Sequence, residues 1–214
     1  MGQILKFPVQ ASKFGYKRVR KRTRPEDPDQ LNLFPQPTAQ ILSFASGLSR
    51  FEQALMFDER GDANAAEFYK KAIEADDCAA DAYCNLGIIE SQKGNTAKAF
   101  DCFTTSLKCN PRHTEAHYNL GNLYFDVSDF RLAQVHYEMA AEVEPSFANV
   151  YFNLALVQAI NHDLDAAVSA LTRYQQLVPP AEGRNADELL QNLRQSLAAT
   201  NNSRAGSRAP QPPK

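Results

Sequence analysis

The pattern of apolar and polar positions repeats along most of the chain with a period of 34 residues. The tripeptide at 85–87, Asn-Leu-Gly, recurs as Asn-Leu-Gly at 119–121 and as Asn-Leu-Ala at 153–155. The same shift aligns three alanines, three bulky residues and three prolines: Ala99, Ala133 and Ala167, then Phe103, Tyr137 and Leu171, then Pro111, Pro145 and Pro179. These matches define three full units at 80–113, 114–147 and 148–181.

Each unit is predicted to form two amphipathic helices. Apolar residues recur three or four positions apart on both sides of a polar break such as Lys93-Gly94-Asn95, which is the spacing of one helical face. The proline that closes each unit marks a point where a helix cannot continue. Small residues at 87 and 121 are expected to let the two helices of a hairpin approach closely. One hairpin cannot bury its apolar face alone, so the units must stack, and about three are needed.

Weaker signals flank the three regular units. A similar pattern at 46–79 places Gly61 33 residues before Gly94 and Tyr69 34 residues before Phe103, which predicts a first turn that is one residue shorter. After residue 181, Asn185 and a glutamate three positions later are typical of a helix start, and four leucines then share one stripe. We therefore expect a capping helix over 182–200. The compositions of 1–45 and 201–214 predict disordered arms.

The repeated pattern resembles the tetratricopeptide-repeat (TPR) family, whose unit has Leu-Gly in its first helix, Ala and then an aromatic in its second, and a closing Pro. The resemblance covers roughly 46–181. It implies an all-α fold, a TPR superhelix of about four helix-turn-helix repeats (46–79, 80–113, 114–147 and 148–181) with a carboxy-terminal capping helix. Ala155 replaces the family's Gly, and Tyr174 stands where a small residue is usual. The last repeat is therefore expected to pack differently on its outer side.

The resemblance also implies that the first helix of each repeat lines a concave groove that binds another polypeptide, so the chain would be an interaction adaptor or scaffold. Four residues on each first helix share the face that would line this groove: Asp81, Asn85, Ile88 and Gln92; Glu115, Asn119, Asn122 and Asp126; and Asn149, Asn153, Leu156 and Ile160. A carboxamide both donates and accepts, so a ladder of asparagines can bind the main chain of an extended peptide. The alternative is that these asparagines only complete hydrogen bonds between helices.

Charge is distributed unevenly along the chain. Residues 1–37 carry a net charge of +5 and residues 38–200 a net charge of −10, which bears on partners rather than on fold. Aromatic residues beside the basic ones suit phosphate contact and base stacking, so the arm is a candidate nucleic-acid site formed by Lys13, Lys17, Arg18, Arg20, Lys21, Arg22 and Arg24. Two alternatives are a solubilising tail and an autoinhibitory segment that occupies the acidic groove.

A second candidate site follows the basic run, in the pentapeptide Gln30, Leu31, Asn32, Leu33 and Phe34. Three nearby prolines keep this stretch out of any helix. It resembles the motif with which bacterial replication and repair proteins bind the sliding clamp. The resemblance implies polar contacts from the glutamine and burial of the leucines and phenylalanine in an apolar pocket. The alternative function is therefore a clamp- or nucleic-acid-associated factor, and a third interpretation is that the stretch docks on the first repeat.

No motif predicts catalysis, a metal site or a cofactor. His113 and His117 are four residues apart, but Thr114 rather than glutamate follows His113, so the pattern of zinc proteases is missing. His136 and His162 are expected at the surface or in turns. The first eight residues have no signal-peptide core, and no apolar run is long enough to span a bilayer. The sequence thus predicts a cytoplasmic protein without a membrane partner and leaves its oligomeric state open.

Overall fold

The structure is a computed structural model that describes residues 13–20 and 47–206. In these two ranges every regular element is an α-helix: α1 (Arg50–Glu59), α2 (Ala65–Glu74), α3 (Ala79–Gln92), α4 (Thr96–Cys109), α5 (Thr114–Asp126), α6 (Phe130–Val143), α7 (Ala148–Ile160), α8 (Leu164–Leu177) and α9 (Pro180–Gly206). Consecutive helices pack as hairpins, α1 with α2, α3 with α4, α5 with α6 and α7 with α8. The predicted all-α fold of helix-turn-helix repeats is confirmed.

The described residues form two compact units. The amino-terminal unit contains residues 17–20 and 47–111, with helices α1 to α4, and the carboxy-terminal unit contains residues 13–16 and 112–206, with helices α5 to α9. Within the first, α2 packs against α3. Within the second, α6 packs against α7, and α8 against α9. Hairpins therefore stack inside each unit, as repeats must when each has an apolar face to cover.

The small residues of the first helices lie where the two helices of a hairpin come closest. A Cβ atom on Gly87 would stand 2.7 Å from the Phe103 ring, and one on Gly121 would stand 2.7 Å from the Tyr137 ring. Real Cβ atoms do not approach a neighbour so closely, so each glycine makes room for a fully buried aromatic ring on the second helix. The predicted role of these two glycines is confirmed.

The same backbone motif ends the first helix of all four described hairpins. Gly61, Gly94, Ser128 and His162 have φ between 63° and 78°, in the left-handed region. Around Gly94, the N–H of Asn95 donates to the carbonyl of Glu90 and the N–H of Gly94 to that of Ser91, which is the Schellman pattern of a helix carboxy terminus. Serine and histidine adopt this conformation at a cost that glycine avoids.

The helix bounds differ from the sequence-based expectation at three places. The first inter-helix connection is longer, not shorter: residues 60–64 lie outside the helices, compared with 93–95 in the next hairpin, because α2 begins late after a turn that Asp62 stabilises through the N–H of Asn64. Helix α9 begins at Pro180 rather than Asn185, since proline fits the first helical position well. It also continues to Gly206, so residues 201–206 of the predicted disordered tail are helical.

Candidate functional site

Part of the arm that was predicted to be disordered lies against the helices as a segment without regular secondary structure, residues 13–20. In the carboxy-terminal unit, Asn153 on α7 holds the main chain of Phe14 at both polar groups. The N–H of Phe14 donates to Asn153 Oδ1 at 2.8 Å, and Asn153 Nδ2 donates to the Phe14 carbonyl at 3.1 Å. We call this arrangement the Phe14 site.

The Phe14 ring packs on two aromatic side chains of the last hairpin. Its centroid lies 5.0 Å from that of Phe152, edge to face, and 5.8 Å from that of Tyr174. Phe152 and Tyr174 themselves meet edge to face at 5.2 Å. Such arrangements of aromatic rings are favourable beyond the area they bury. Tyr174, the bulky residue that departs from the family pattern, therefore forms one side of the Phe14 site.

Buried polar groups fix the orientation of Asn153. Its Nδ2 also lies within hydrogen-bonding distance of Tyr118 Oη, at 3.2 Å, and of Asn122 Oδ1, at 2.9 Å. Asn122 Oδ1 accepts a second hydrogen bond from Tyr137 at 2.7 Å. Burial raises the pKa of Tyr118 and of Tyr137, so both phenols stay protonated and can donate. These hydrogen bonds thus fix the orientation in which the Asn153 carboxamide contacts the main chain of Phe14.

Polar contacts surround the Phe14 site at its more exposed side. Tyr118 Oη donates to the carbonyl oxygen of Gly15 at 3.1 Å, and the phenol of Tyr16 donates to Asp126 at 3.0 Å. Lys13 Nζ lies 3.2 Å from the same carboxylate, whose side chain is 45% exposed. The Lys13 side chain is 14% exposed, so solvent reaches this ion pair mainly from the side of Asp126 and reduces its contribution to the free energy. The aromatic and main-chain contacts therefore dominate this site.

The amino-terminal unit repeats the main-chain contact on a different residue. The N–H of Val19 donates to Asn85 Oδ1 at 2.8 Å, and Asn85 Nδ2 donates to the Val19 carbonyl at 2.9 Å. Asn85 and Val19 are both buried. Asn85 Nδ2 also donates to Tyr69 Oη at 3.1 Å, so an aromatic residue of the preceding hairpin supports this carboxamide. We call this arrangement the Arg18 site, after the charged residue beside Val19.

Arg18 forms an ion pair with a carboxylate that is almost completely buried. Its Nε lies 2.7 Å from Asp58 Oδ2, and the Asp58 side chain is 4% exposed. The contact has the distance of a hydrogen bond but not its alignment, so it is an ion pair. Tyr69 donates to the same oxygen at 3.0 Å. Burial, and after it the Asp58 charge, raises the pKa of Tyr69, which keeps this phenol a donor.

The predicted groove residues have different surroundings. Asn85 and Asn153 contact the arm main chain, Asn122 supports Asn153, and Asp126 binds Tyr16 and Lys13. Asn119 is completely buried and has polar or electrostatic interactions of its own. Ile88 and Leu156 are buried, whereas Gln92 is exposed. The remaining predicted residues are partly buried: Asp81, Glu115, Asn149 and Ile160.

Sequence reasoning missed Asp58, Tyr69, Phe152 and Tyr174 as site residues. The predicted set came from the three regular units, so Asp58 and Tyr69 in the irregular first one were left out. Phe152 lies next to Asn153 and was assigned no role. Tyr174 carried a usable signal, because a large aromatic ring replaces the small residues found at 72, 106 and 140.

The other candidate sites of the arm are only partly described. Lys13, Arg18 and Arg20 face carboxylates of the chain itself, Arg20 at 3.7 Å from Glu59. Lys17 is exposed. The other members of the basic run, Lys21, Arg22 and Arg24, and the pentapeptide 30–34 lie outside the described residues. Contacts with nucleic acid or with a sliding clamp therefore stay predictions from the sequence.

The histidines do not converge on a metal. His113 caps α5, with its Nδ1 accepting from the N–H of Ala116 at 3.1 Å. The ring of His117 instead faces His136, whose predicted surface position is wrong: it is half-buried and stacks on Tyr124 at 5.4 Å. Among the described residues, no group of three His, Cys, Asp or Glu side chains is arranged to hold a metal ion. None of the described helices has the length and apolar character needed to cross a membrane.

Comparison with known proteins identifies the repeats. Residues 80–113 and 114–147 each match a family model described as tetratricopeptide repeat. Tetratricopeptide repeat protein 8 of Mus musculus is 30% identical over 125 residues, which make up 58% of this chain and 24% of that protein. Tetratricopeptide repeat protein 6 of Homo sapiens is 28% identical over 76 residues, or 36% of this chain and 15% of that protein. The chain thus spans about a quarter or less of these relatives.

Solved structures share the fold at low sequence identity. The first TPR of Spaghetti (RPAP3), bound to the HSP90 peptide SRMEEVD, has a TM-score of 0.52 and 22% identity, covering 56% of this chain and 93% of that one. MamA has a TM-score of 0.53 and 18% identity, covering 70% of this chain and 96% of that one. These likenesses support the fold. The family models show tetratricopeptide repeats at 80–147.

Proposed function

We propose that this chain is a protein-interaction adaptor that binds polypeptide segments through the Phe14 site and the Arg18 site. The observation that carries the proposal is the paired main-chain contact. In each site one buried asparagine holds both the N–H and the carbonyl of a single residue of a non-helical segment. A buried carboxamide that lost such a partner would be left with unmet hydrogen bonds, so these positions favour an occupied state.

The chemistry of the sites suits exchangeable rather than permanent binding. Each neutral main-chain hydrogen bond contributes only about 0.5–1.5 kcal/mol net. The partly buried Phe14 ring adds less than the about 1.5–3 kcal/mol of a fully buried phenylalanine, and the cost of ordering the peptide must be set against this gain. The expected affinity for a free peptide is therefore micromolar. One solved TPR structure of the same fold is described with a bound peptide, which supports peptide binding as the use of this surface.

The arm makes the proposed adaptor autoinhibited. Residues 13–20 of the chain itself occupy both sites, so a partner peptide has to displace them before it can bind. A covalently attached ligand has a high effective concentration, about millimolar for a flexible linker, and a weak free peptide competes poorly with it. The adaptor would therefore respond to partners that bind more tightly than the arm or that engage another part of the chain first.

A peptide-binding experiment on the full chain tests this function. The probe is a labelled peptide with the sequence of residues 13–20, and the receptor is the full chain with Phe14→Ala and Arg18→Ala, which we call the arm-weakened variant. Fluorescence anisotropy should give micromolar binding to the arm-weakened variant and at least about tenfold weaker binding to the unchanged chain, because the intact arm competes.

Matched asparagine variants identify the surface. Adding Asn85→Ala and Asn153→Ala to the arm-weakened variant should abolish binding, whereas adding Asn149→Ala, on the same helix as Asn153 but only partly buried, should not. Thermal melting confirms that each variant is folded. A folded arm-weakened variant that does not bind the peptide would show that residues 13–20 are a fixed part of the fold and that the proposal is wrong.

A further inference from the structure

We infer that Asp58 makes the Arg18 site selective for a peptide in which arginine directly precedes the residue clamped by Asn85. The inference rests on the proposed function, since it names the kind of partner segment that the amino-terminal unit accepts. Asp58 lies in the last turn of α1, and its side chain is 4% exposed. Removing a carboxylate from water is costly unless a cation and hydrogen bonds compensate. Arg18 Nε at 2.7 Å supplies that cation.

The charged contact and the main-chain contact belong to one hydrogen-bonded network. Tyr69 donates to Asp58 and accepts from Asn85, and Asn85 in turn holds Val19. The side chains of Asp58, Tyr69 and Asn85 thus contact the guanidinium of one residue and the main chain of the next as a connected set. Because Val19 is 7% exposed, the residue after the arginine must also be apolar and small enough to be covered.

The contact with Asp58 differs from the other ion pairs of the segment. Asp126 and Glu59, which face Lys13 and Arg20, have side chains that are 45% and 51% exposed, so solvent screens both pairs. Among the carboxylates shown to pair with residues 13–20, Asp58 is the buried one. It therefore contributes most to the choice of ligand.

The geometry favours arginine over lysine. The atom nearest to Asp58 is Nε, within the guanidinium plane, while one third of the Arg18 side chain remains exposed. Arginine keeps its charge and can spread several donors around a buried carboxylate. The ammonium of lysine is a compact and strongly hydrated charge, which costs more to bring next to a buried carboxylate. Lysine at this position is thus expected to bind more weakly even though its charge is the same.

A peptide series tests the inference without altering the receptor site. The arm-weakened variant is titrated with the 13–20 peptide and with versions carrying Arg18→Lys, Arg18→Gln or, as a matched control, Arg20→Gln. Loss of a charged contact to a buried partner predicts about 10- to 100-fold weaker binding for Arg18→Gln. The Arg18→Lys peptide should have an intermediate affinity. Arg20→Gln should change the affinity by less than about threefold, because Arg20 and its partner Glu59 are both exposed.

Asp58→Asn in the receptor separates a specificity role from a structural one. If Asp58 reads the arginine, this substitution should remove the difference between the unchanged peptide and the Arg18→Gln peptide. If Asp58 only supports the fold, both peptides should weaken by the same factor, which would overturn the inference. Should the arm-weakened variant not fold, the full chain with Arg18→Ala alone, which weakens the arm at the Arg18 site, serves as the receptor for the same series.

The outcomes for the two proposals can be told apart. If no peptide binds a folded receptor, the proposed function fails, and the selectivity fails with it. If all the peptides bind with equal affinity, the proposed function stands and the selectivity for arginine is wrong. Ranked affinities together with loss of the ranking in Asp58→Asn support both.

Discussion

At the scale of single residues, the chain shows how the size of one position limits another in the same hairpin. Gly87 lies under Phe103 and Gly121 under Tyr137, and in neither pair is there room for a Cβ. In the last hairpin both members change together: Ala155 replaces the glycine and Leu171 replaces the aromatic, and both are completely buried. The extra methyl is accommodated because the flat ring across from it is gone. The residue on the first helix and the residue facing it on the second helix therefore fill one space together, so a larger side chain at one position needs a smaller one at the other.

This compensation leads to a prediction for Gly121→Ala. The added Cβ would meet the Tyr137 ring at 2.7 Å, so we expect the free energy of unfolding to fall by about 1–3 kcal/mol, as overpacked cores usually show. Urea denaturation measures the change. In the background of Tyr137→Leu, the same substitution should cost at least about 1 kcal/mol less, because the clash is removed.

Gly183→Ala is the matched control for that prediction. A Cβ on Gly183, in α9, would have Val178 as its nearest neighbour at an ordinary 3.7 Å. Alanine should therefore leave stability unchanged or raise it by up to about 1 kcal/mol through helix propensity. If Gly121→Ala were as well tolerated as Gly183→Ala, close approach would not be the reason for glycine in the first helices.

At the scale of elements, the α5–α6 hairpin carries a partly buried titratable pair. His117 Nδ1 and His136 Nδ1 lie 3.1 Å apart, so one nitrogen donates a hydrogen bond and the other accepts it. Burial, and after it the proximity of His117, lowers the pKa of His136 from 6.5 to about 4. Protonation of His136 is therefore unfavourable in the folded hairpin, whereas the same side chain is readily protonated in the unfolded chain.

The stability of the chain should therefore decrease on mild acidification. Between pH 6.5 and 4 the unfolded state binds more protons than the folded state, so the free energy of unfolding falls as the pH drops through this window. From pH 7 to pH 5 we expect a loss of roughly 1 kcal/mol from this residue, less than the full shift gives because the ring is partly solvated. Urea denaturation at the two pH values measures it.

Two histidine variants test whether His136 causes this loss of stability. His136→Phe keeps a flat ring against Tyr124 but cannot titrate, so most of this loss should disappear. His162→Gln changes a histidine in the α7–α8 turn and should leave the loss as it is. An equal loss of stability in His136→Phe and in the unchanged chain would mean that other groups cause the acid sensitivity.

The elements and their pairing were predictable from the sequence because a local periodicity repeats three times at a fixed shift. Helical spacing also determines which residues share a face, and two of the predicted groove residues, Asn85 and Asn153, contact the main chain of residues 13–20. Binding of another polypeptide by these residues stays a prediction. The ordered conformation of residues 13–20 was not predictable from the sequence. Its contacts come from side chains such as Asn85 and Asn153, 66 and 139 positions away in the sequence, and no local pattern records them.

At the scale of the whole molecule, the basic arm and the acidic body suggest attraction by charge. This attraction was the basis of the alternative in which the arm occupies the groove. The contacts give a different balance. Of the three ion pairs made by Lys13, Arg18 and Arg20, two involve carboxylates about half exposed to solvent. The other contacts are the Phe14 ring, the covered Val19 side chain and four main-chain hydrogen bonds to asparagines.

This balance predicts that salt hardly releases the arm, whereas loss of one aromatic ring does. Trypsin cleavage after Arg18 in the full chain reports on release, because the bond joins a half-buried residue to a buried one. Raising the ionic strength from about 0.05 to about 0.5 M shortens the Debye length to a few ångströms, yet it should speed cleavage by less than about threefold, since screening acts mainly on the exposed pairs. Phe14→Ala should speed it by about fivefold to tenfold, because the partly buried ring contributes part of the about 1.5–3 kcal/mol of a fully buried phenylalanine. Glu59→Gln, at the half-exposed partner of Arg20, is the matched control and should change it little. All rates are divided by those of the free 13–20 peptide, which removes the effect of salt on the protease. If high salt released the arm as effectively as Phe14→Ala does, charge rather than the Phe14 site would hold the arm in place. Partners of the adaptor would then displace the arm through their charged side chains instead of through an aromatic one.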